Sequence, residues 1–375
     1  MRTYLDHASS APLRPTALEA MTRVLRDAYG DPGRLHEEGR ASRVALEQAR
    51  EDVAAFVDAR PREVVFCSSG TEAINFAHSW VPAGAHVVTS AVEHSAVRDA
   101  LARTGADVTV VGVDRFGRVD ADAVIAAVRH DTALVSVQLA NHEVPTVQPV
   151  ERIAAALRAR GERDGGGPRV HVDACAAIGH LPLSFRALDV DLCSITAHKL
   201  GGPAGAGALL IRRGTRIAPL LVGGAQERAR RGGYEDVAAC VGFGAACTAV
   251  DVDTEAAGAR ALTDRVRAAA RTVEGVEELG DTSSDGSLPN VVCLRVEGVE
   301  AEPILLGLNQ RGVAVHSGSA CASEMWEPSP VLLAMGVDAQ HSLRVSVGWS
   351  STAVDVDHFA EAFTEVITNL RSLRT

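Results

Sequence analysis

The sequence predicts an α/β protein in which a large, mostly parallel sheet domain is joined to a smaller α+β domain. Short apolar runs alternate with helical patterns over roughly the first 250 residues, and this alternation then gives way to a different pattern. The length of 375 residues is also too great for one ordinary core. We expect the large domain to span 13–250 and the small domain to combine 1–12 with 251–375.

The strands of the larger domain are predicted from apolar runs rich in β-branched residues. They are Glu63–Cys67, His86–Thr89, Val108–Val113, Leu134–Leu139, Val170–Val172, Asp191–Ile195 and Ala208–Ile211. Stretches such as Ser42–Val57 and Val150–Arg160 lie between them and have the periodicity of helices. Strands separated by helices favour a parallel sheet that is covered on both faces.

The second domain is predicted from three strands and a long helix near the end of the chain. The strands are Asn290–Val296, Val313–His316 and Leu343–Val347. The helix has one apolar stripe, formed by Phe359, Phe363, Val366, Ile367 and Leu370.

The composition argues against several classes of function. The net charge is −11 and there is no basic run, so we expect no nucleic-acid partner and no membrane partner. No apolar stretch is long enough to span a bilayer, and the first 15 residues lack the apolar core of a signal peptide, which favours a cytoplasmic location. The seven cysteines form no CxxC pair, so we expect neither disulfides nor a metal site.

One lysine stands out in a chain that otherwise uses arginine. Of the 37 Lys and Arg residues only Lys199 is a lysine, and it lies in the segment SITAHKLGGPAGAG (194–207). A lysine amine can lose its proton and form an imine with a carbonyl, whereas a guanidinium stays protonated. Codon bias with a single survivor explains the same count, so the neighbouring motifs decide between the two interpretations.

Three further stretches place polar side chains after predicted strands. In CSSGTEAIN (67–75) a helix begins at Thr71–Glu72, an arrangement that suits a phosphate and also an ordinary helix cap. His94, in VEHSAV, is taken alone a packing or surface residue. Asp173 follows a buried-looking strand in HVDACAAIGH, where a carboxylate needs a cationic partner.

These residues meet if they share the carboxyl edge of one sheet, where open α/β proteins bind their ligands. Pyridoxal phosphate (PLP) requires an imine-forming lysine, an acid for its pyridinium nitrogen and a phosphate site. The combination favours Lys199 as a Schiff-base lysine and PLP as the cofactor.

The motifs and their order resemble the cysteine desulfurases, PLP enzymes of the class V aminotransferase group. The resemblance runs through nearly the whole chain, in YLDHASSAP, SSGTEAIN, EHSAV, ANHEVPTVQP, HVDA, AHKLGGPAGAGALLIRRG, GGAQERARRGGYEDVAACVGFG, HSGSACAS, EPSPVLLAMG and SLRVSVG. It implies a fold-type I PLP-dependent transferase, and the SGSAC segment points to the desulfurase branch.

The resemblance implies cofactor-binding roles at matching positions. Lys199 would hold PLP and move the proton at the substrate α-carbon. Asp173 would pair with the pyridinium nitrogen, and His94 would stack on the ring and assist proton transfers. The phosphate would be bound by Gly70, Thr71, Thr196 and His198.

Substrate-binding and sulfur-transferring residues are implied in the same way. Arg344 would form a bidentate pair with the carboxylate of L-cysteine, helped by Asn141 or His142. Cys321, flanked by small residues in HSGSACAS, would attack the substrate sulfur as a thiolate, take it up as a persulfide and release alanine. The sulfur would then pass to an acceptor protein of unknown identity.

Three positions depart from the family pattern. Ala176 replaces a glutamine that contacts the ring hydroxyl, and Pro145 replaces a glycine. The Arg-x-Gly-Thr segment, which sends a hydroxyl to the PLP phosphate of a partner subunit, reads Arg231-Gly232-Gly233-Tyr234 here. We therefore expect a homodimer with sites at its interface and name Tyr234 as the candidate phosphate ligand.

Other interpretations of the same residues remain open at this point. The PLP fold also supports selenocysteine lysis, cleavage of another C–S bond, or transamination, which needs no loop cysteine. A catalytically silent scaffold is the non-enzyme alternative, and the retained lysine argues against it. The pathway that uses the sulfur, whether iron–sulfur assembly, tRNA thiolation or another biosynthesis, is left open by the sequence.

Overall fold

The structure is a computed structural model that describes residues 2–164, 166–317 and 328–373. Its strands are β1 (Thr3–Tyr4), β2 (Val64–Cys67), β3 (His86–Ser90), β4 (Asp107–Val111), β5 (Thr132–Gln138), β6 (Arg169–Asp173), β7 (Leu192–Thr196), β8 (Gly207–Ile211), β9 (Val276–Leu279), β10 (Val291–Val296), β11 (Val313–Ala314), β12 (His316–Ser317) and β13 (Ser342–Ser346).

The helices are α1 (Pro15–Asp27), α2 (Glu37–Phe56), α3 (Gly70–His78), α4 (Ser95–Thr104), α5 (Ala121–Ala127), α6 (Val150–Asp164), α7 (Phe185–Leu188), α8 (Gln226–Ala229), α9 (Val237–Ala249), α10 (Val252–Arg271), α11 (Ala301–Gln310), α12 (Pro330–Ala334) and α13 (Ala353–Ser372). The helix predicted over 42–57 begins five residues earlier than expected, where His36 caps α2 by accepting from the Gly39 N–H.

The larger sheet contains the strands that apolar runs predict for it, in the order β2-β8-β7-β6-β5-β3-β4. The pairs from β7 to β4 are parallel, whereas β8 is antiparallel to both of its neighbours. This reversal has a local cause, because the connection over 197–206 is too short for the crossover that a parallel pair requires. The predicted mostly parallel sheet is confirmed, and β8 is a reversed strand that was not predicted from the sequence.

Both faces of this sheet are buried by helices. Val88 and Val135 point to one face, where they pack with apolar residues of α1, α2, α6 and α9. The adjacent residues Val87 and Leu134 point to the other face and pack against α3 and α4. Since successive side chains of a strand alternate between faces, continuous apolar runs such as Leu134–Leu139 are what a doubly covered strand needs.

The smaller sheet is antiparallel, in the order β12-β13-β10-β9, and packs against α10, α11 and α13. The predicted stripe of α13 faces this core, with Phe359 and Phe363 stacked at a centroid distance of 5.3 Å. The separate parallel pair β1–β11 brings the N-terminus to this part of the molecule. The domain boundaries at 13 and 250 stay a prediction.

Among the described residues, no single helix combines the length and apolarity needed to cross a membrane. The consecutive helices α9 and α10 meet those criteria only when taken together, and they are bent by 77° relative to each other.

Candidate active site

A cavity of about 330 Å³ lies where the carboxyl ends of large-sheet strands face β13 of the small sheet. Strands β2, β3, β5, β6 and β7 each contribute lining residues at or shortly after their last position. The structure brings together most of the residues predicted for the site: Gly70, Thr71, His94, His142, Asp173, Thr196, His198, Lys199 and Arg344.

The N-terminus of α3 forms one wall of the cavity. Ser69 caps this helix, since its Oγ accepts from the Glu72 N–H at 3.1 Å. Gly70 and Thr71 form the first turn, where helical N–H groups have no acceptor within the helix. A Cβ on Gly70 would lie 2.6 Å from Cys175 Sγ, so a larger residue would displace that side chain. The wall therefore offers backbone donors to an anion.

Lys199 lies after β7 and its amine reaches across the cavity to the N-terminal segment. Its Nζ donates to the carbonyl oxygens of Ala8 and Ser9, the second at 2.9 Å. Burial, and then the positive charge of Arg344, lowers the pKa of Lys199 to about 8. A useful fraction of the amine is thus neutral near pH 7 to 8, which is the form that attacks a carbonyl.

Asp173 is the last residue of β6 and is buried at the edge of the cavity. Its Oδ1 accepts from the Cys175 N–H at 2.9 Å, and no basic side chain within the described ranges forms a salt bridge with it. Burial raises the pKa of its carboxyl. A buried carboxylate without a cation is costly, so this position suits a ligand group that brings a proton to it.

His94 caps α4 and presents its ring to the cavity. Its Nδ1 accepts from the Ala96 N–H at 3.0 Å, which places the proton of the neutral ring on Nε2. Burial, together with the charges of His142 and Lys199, lowers the pKa of His94 to about 3. A ring that stays neutral is suited to stacking, whereas a base for neutral pH needs a pKa closer to that value.

His142 is a second imidazole in the cavity, and it meets the ring of His94 edge to face with centroids 4.8 Å apart. Its Nε2 lies 3.4 Å from Oε1 of the buried Glu143. Glu143 is in turn held by Ser329, whose Oγ donates to its Oε2. Of the two residues predicted to help bind the substrate carboxylate, His142 is the one at the cavity.

Arg344 projects from β13 and is almost completely buried. Its Nη1 donates to the His142 carbonyl at 2.6 Å, and its Nη2 donates to Asp6 Oδ1 at 2.9 Å and to Ser9 Oγ at 2.6 Å. Its Nε has no hydrogen-bond partner in the part of the chain that the structure describes. The guanidinium is thus held in place through both Nη atoms, while its Nε–H remains available to a ligand.

Two predicted residues that the structure describes, Asn141 and Tyr234, do not line the cavity. Asn141 is buried behind it: its amide donates to the Val92 carbonyl and accepts from the N–H groups of Glu143 and Val144. Tyr234 is 59% exposed on the outer surface. Cys321 lies outside the described residues. The roles predicted for these residues stay predictions.

Some lining residues were not predicted from the sequence. Gln138, at the end of β5, donates its side-chain amide to the Val92 carbonyl at 2.8 Å, and its N–H donates to Glu93 Oε1. Cys175 borders the same space. Both lie within three residues of a predicted strand end, the signal that could have identified them. The sequence gives no such signal for Ser9, because Ser9 reaches the cavity through a contact between the N-terminal segment and the distant Arg344.

Comparisons with known proteins agree with this geometry. The aminotransferase class-V family model matches residues 3–359. The chain belongs to the aminotransferase class-V family. A cysteine desulfurase IscS of Dictyoglomus turgidum is 38% identical to it over 99% of this chain and 95% of that protein. An IscS-like cysteine desulfurase of Mycobacterium tuberculosis is 39% identical, over 98% and 97% of the two chains. A solved NifS-like protein superposes with a TM-score of 0.89 at 32% identity, covering 98% of this chain and all of that one.

One of the three positions that depart from the expected family pattern lies at the cavity itself. Ala176 lines the cavity, and its methyl group offers no hydrogen-bond donor. Pro145 lies in the turn that follows Glu143, where its carbonyl accepts from the Leu288 N–H at 2.7 Å. The turn is therefore stabilised by backbone hydrogen bonds that do not need the glycine expected there.

Proposed function

We propose that this chain is a PLP-dependent cysteine desulfurase that converts L-cysteine to L-alanine and transfers the sulfur to Cys321 as a persulfide. The single observation that carries the proposal is the position of Lys199. Its amine, with a pKa lowered to about 8, shares one cavity with the N-terminus of α3 and with the Asp173 carboxylate, which has no ion-pair partner among the described residues.

The residues present fit PLP in three respects. The N–H groups of Gly70 and Thr71 and the side chains of Thr196 and His198 suit its phosphate. Asp173, buried without a cationic partner among the described residues, suits a protonated ring nitrogen. When bound, PLP supplies an electron sink for the carbanion chemistry of amino acids.

The chain's own side chains then have distinct tasks. Lys199 would move a proton as a neutral amine, and His94 would stack on the bound ring as a neutral imidazole. Arg344 binds the carboxylate of L-cysteine through Nε and the Nη2 edge, with the Ser9 hydroxyl giving way or joining the contact. In this assignment the Nε–H of Arg344, which has no acceptor among the described residues, donates to the substrate carboxylate.

The transfer of sulfur needs one thiol of the protein. The C–S bond of L-cysteine breaks, its sulfur bonds to the Cys321 sulfur, and the carbon gains a proton to give L-alanine. One substrate thiol and one protein thiol thus become one alanine and one persulfide, with no external oxidant. The persulfide then passes its outer sulfur to an acceptor protein, which regenerates the Cys321 thiol.

We also propose that the protein acts as a homodimer. Leu25, Tyr29 and Tyr234 line one shallow depression, and each is more than half exposed. Apolar side chains clustered on a surface mark an interaction site, and a second copy would cover this one. Sedimentation at micromolar concentration should give a dimer, whereas a fully active monomer would contradict the proposal.

The experiment that tests the function is alanine release from L-cysteine by the wild type and by Cys321→Ala. The wild type should form alanine and sulfide with a reducing acceptor present, and the variant should bind PLP normally but form almost no alanine. Undiminished alanine from Cys321→Ala would replace the proposal with a direct C–S lyase. Cys240→Ala is the matched control, because Cys240 is buried in the core away from the cavity.

A further inference from the structure

A negative side chain lies at the end of α3 that is proposed to bind phosphate. Glu72 is in the first turn of this helix, and its Oε2 accepts from the Ser68 N–H at 2.7 Å. Its carboxylate is thus folded back toward the N-terminus. A carboxylate stabilises a helix at this position, but it also repels a phosphate bound at the neighbouring N–H groups of Gly70 and Thr71.

The negative charge of Glu72 is paired with the positive charge of Arg231. Its Nε lies 2.9 Å from Glu72 Oε1 and its Nη2 lies 3.2 Å from Oε2, the geometry of a two-point fork. Both side chains are largely buried, with 18% and 12% of their surface exposed. Although burial opposes it, this contact lowers the pKa of Glu72, so the carboxyl is charged and needs the guanidinium.

The backbone that precedes Arg231 has an unusual conformation that places the Arg231 side chain next to Glu72. Glu227, Arg228 and Ala229 have φ values of 47°, 58° and 61°, a left-handed turn that non-glycine residues adopt only at a cost. A buried ion pair holds the turn: Arg50 donates to both oxygens of Glu227 at 2.7 and 2.6 Å. The Phe66 N–H adds a third bond to Glu227 at 3.0 Å.

We propose that Arg231 is a positioning residue for the cofactor phosphate, acting by neutralising Glu72 within the same chain. This inference rests on the proposed function and adds a determinant of cofactor retention to it. With Arg231 in place, the start of α3 presents N–H groups and no net negative charge. Without Arg231, the uncompensated Glu72 carboxylate opposes the phosphate dianion.

The test measures PLP affinity in a double-mutant cycle of Arg231→Met and Glu72→Gln. The glutamine still accepts from the Ser68 N–H, so the helix cap is kept. We expect Arg231→Met to weaken PLP binding by about tenfold, Glu72→Gln to bind at least as well as the wild type, and the double variant to recover most of the loss. Each affinity is obtained from absorbance titration of the apo-protein, and competition by inorganic phosphate should follow the same order.

The direction in which Glu72→Gln changes PLP affinity distinguishes charge compensation by Arg231 from a purely structural role of the ion pair. If both single variants weaken PLP binding and the double variant does not recover the affinity, then Arg231 only stabilises the loop, and the inference is overturned. Arg129→Met, which breaks an exposed ion pair with Asp107, is the control and should change nothing. Wild-type protein that binds no PLP would overturn the proposed function itself, whereas normal binding by Arg231→Met overturns only this inference.

Discussion

The two halves of the cavity are built in different ways. The cofactor half consists of Gly70, Asp173 and Lys199, each at or close after the end of a strand of the large sheet. The substrate half consists of Arg344 and the N-terminal segment, which are joined by an Asp6–Arg344 contact across 338 residues of sequence. Local strand-end chemistry makes the first half, and a long-range contact makes the second.

The halves also differ in their unsatisfied groups. The cofactor half keeps a carboxylate with no ion pair among the described residues, that of Asp173. The substrate half keeps a guanidinium N–H without a partner there, the Nε of Arg344. The first therefore suits a protonated ring and the second suits a carboxylate, so changes in the two halves should have separable effects.

The largest effect should come from Lys199. Lys199→Ala and Lys199→Arg should both abolish covalent PLP and alanine formation, since arginine keeps the charge but cannot form an imine. Borohydride reduction of the wild type followed by peptide mapping should place the label on Lys199. Reduced PLP attached to the N-terminal amine instead would contradict the assignment of Lys199 as the PLP-binding residue.

Asp173→Asn should lower kcat by about 10²- to 10³-fold, the scale of losing one member of a buried ion pair. The apo-protein should respond in the opposite direction. Burial raises the pKa of Asp173, so its ionisation destabilises the empty fold as the pH rises, and an uncharged asparagine removes this penalty. Thermal unfolding at pH 7 should show an apo variant at least as stable as the wild type; a less stable apo variant would contradict the account.

Arg344→Lys should affect the substrate half alone. We expect the KM for L-cysteine to rise by about 30-fold or more, because a lysine cannot reproduce the fork, while PLP affinity stays within a factor of about two. Asp6→Asn keeps the guanidinium and should have a smaller effect on KM. Loss of PLP from the Arg344 variant would show that the halves are not independent.

The rate of PLP capture by the apo-protein should depend on pH through Lys199. Because its pKa is about 8, nearly all of the Lys199 amine is in the reactive neutral form above pH 9. Below pH 7 the neutral fraction falls about tenfold per pH unit. Stopped-flow absorbance measures this directly. A profile with its midpoint near 10.5 would mean that burial and Arg344 do not act on the amine as described.

The smallest effect concerns His94. With a pKa of about 3 it should remain uncharged from pH 5 to pH 9, so its imidazole NMR signals should not move over this range. His94→Phe, which keeps an aromatic face, should retain PLP better than His94→Ala. Titration of His94 near pH 7 would instead support the proton-transfer role that the family resemblance implies.

The contrast between the halves explains what the sequence could predict. The cofactor residues follow apolar runs, and the edge of a parallel sheet brings such positions together wherever the runs are recognised. The antiparallel direction of β8 was missed although its short connection was visible. The ion pair between Glu72 and Arg231 was missed because a left-handed turn at Glu227 brings together residues 159 apart in the sequence.

Some residues matched the family motifs and still were not located at the cavity. Asn141 has the expected neighbours in sequence, but its amide is used by the backbone of its own turn. Motif matching gives the identity of a residue, whereas the use of its hydrogen-bonding groups depends on packing that only the fold determines. Tyr234, which departs from its motif, lies on the outer surface, and its predicted role requires a second subunit.

The most direct test of the central claim is the mass of the protein after brief exposure to L-cysteine. The account predicts one added sulfur, about 32 Da, mapped to the peptide that contains Cys321, with alanine formed in equal amount and no addition in Cys321→Ala. Sulfur mapped instead to Cys175, which borders the cavity, would contradict the proposed mechanism while leaving the cofactor half intact.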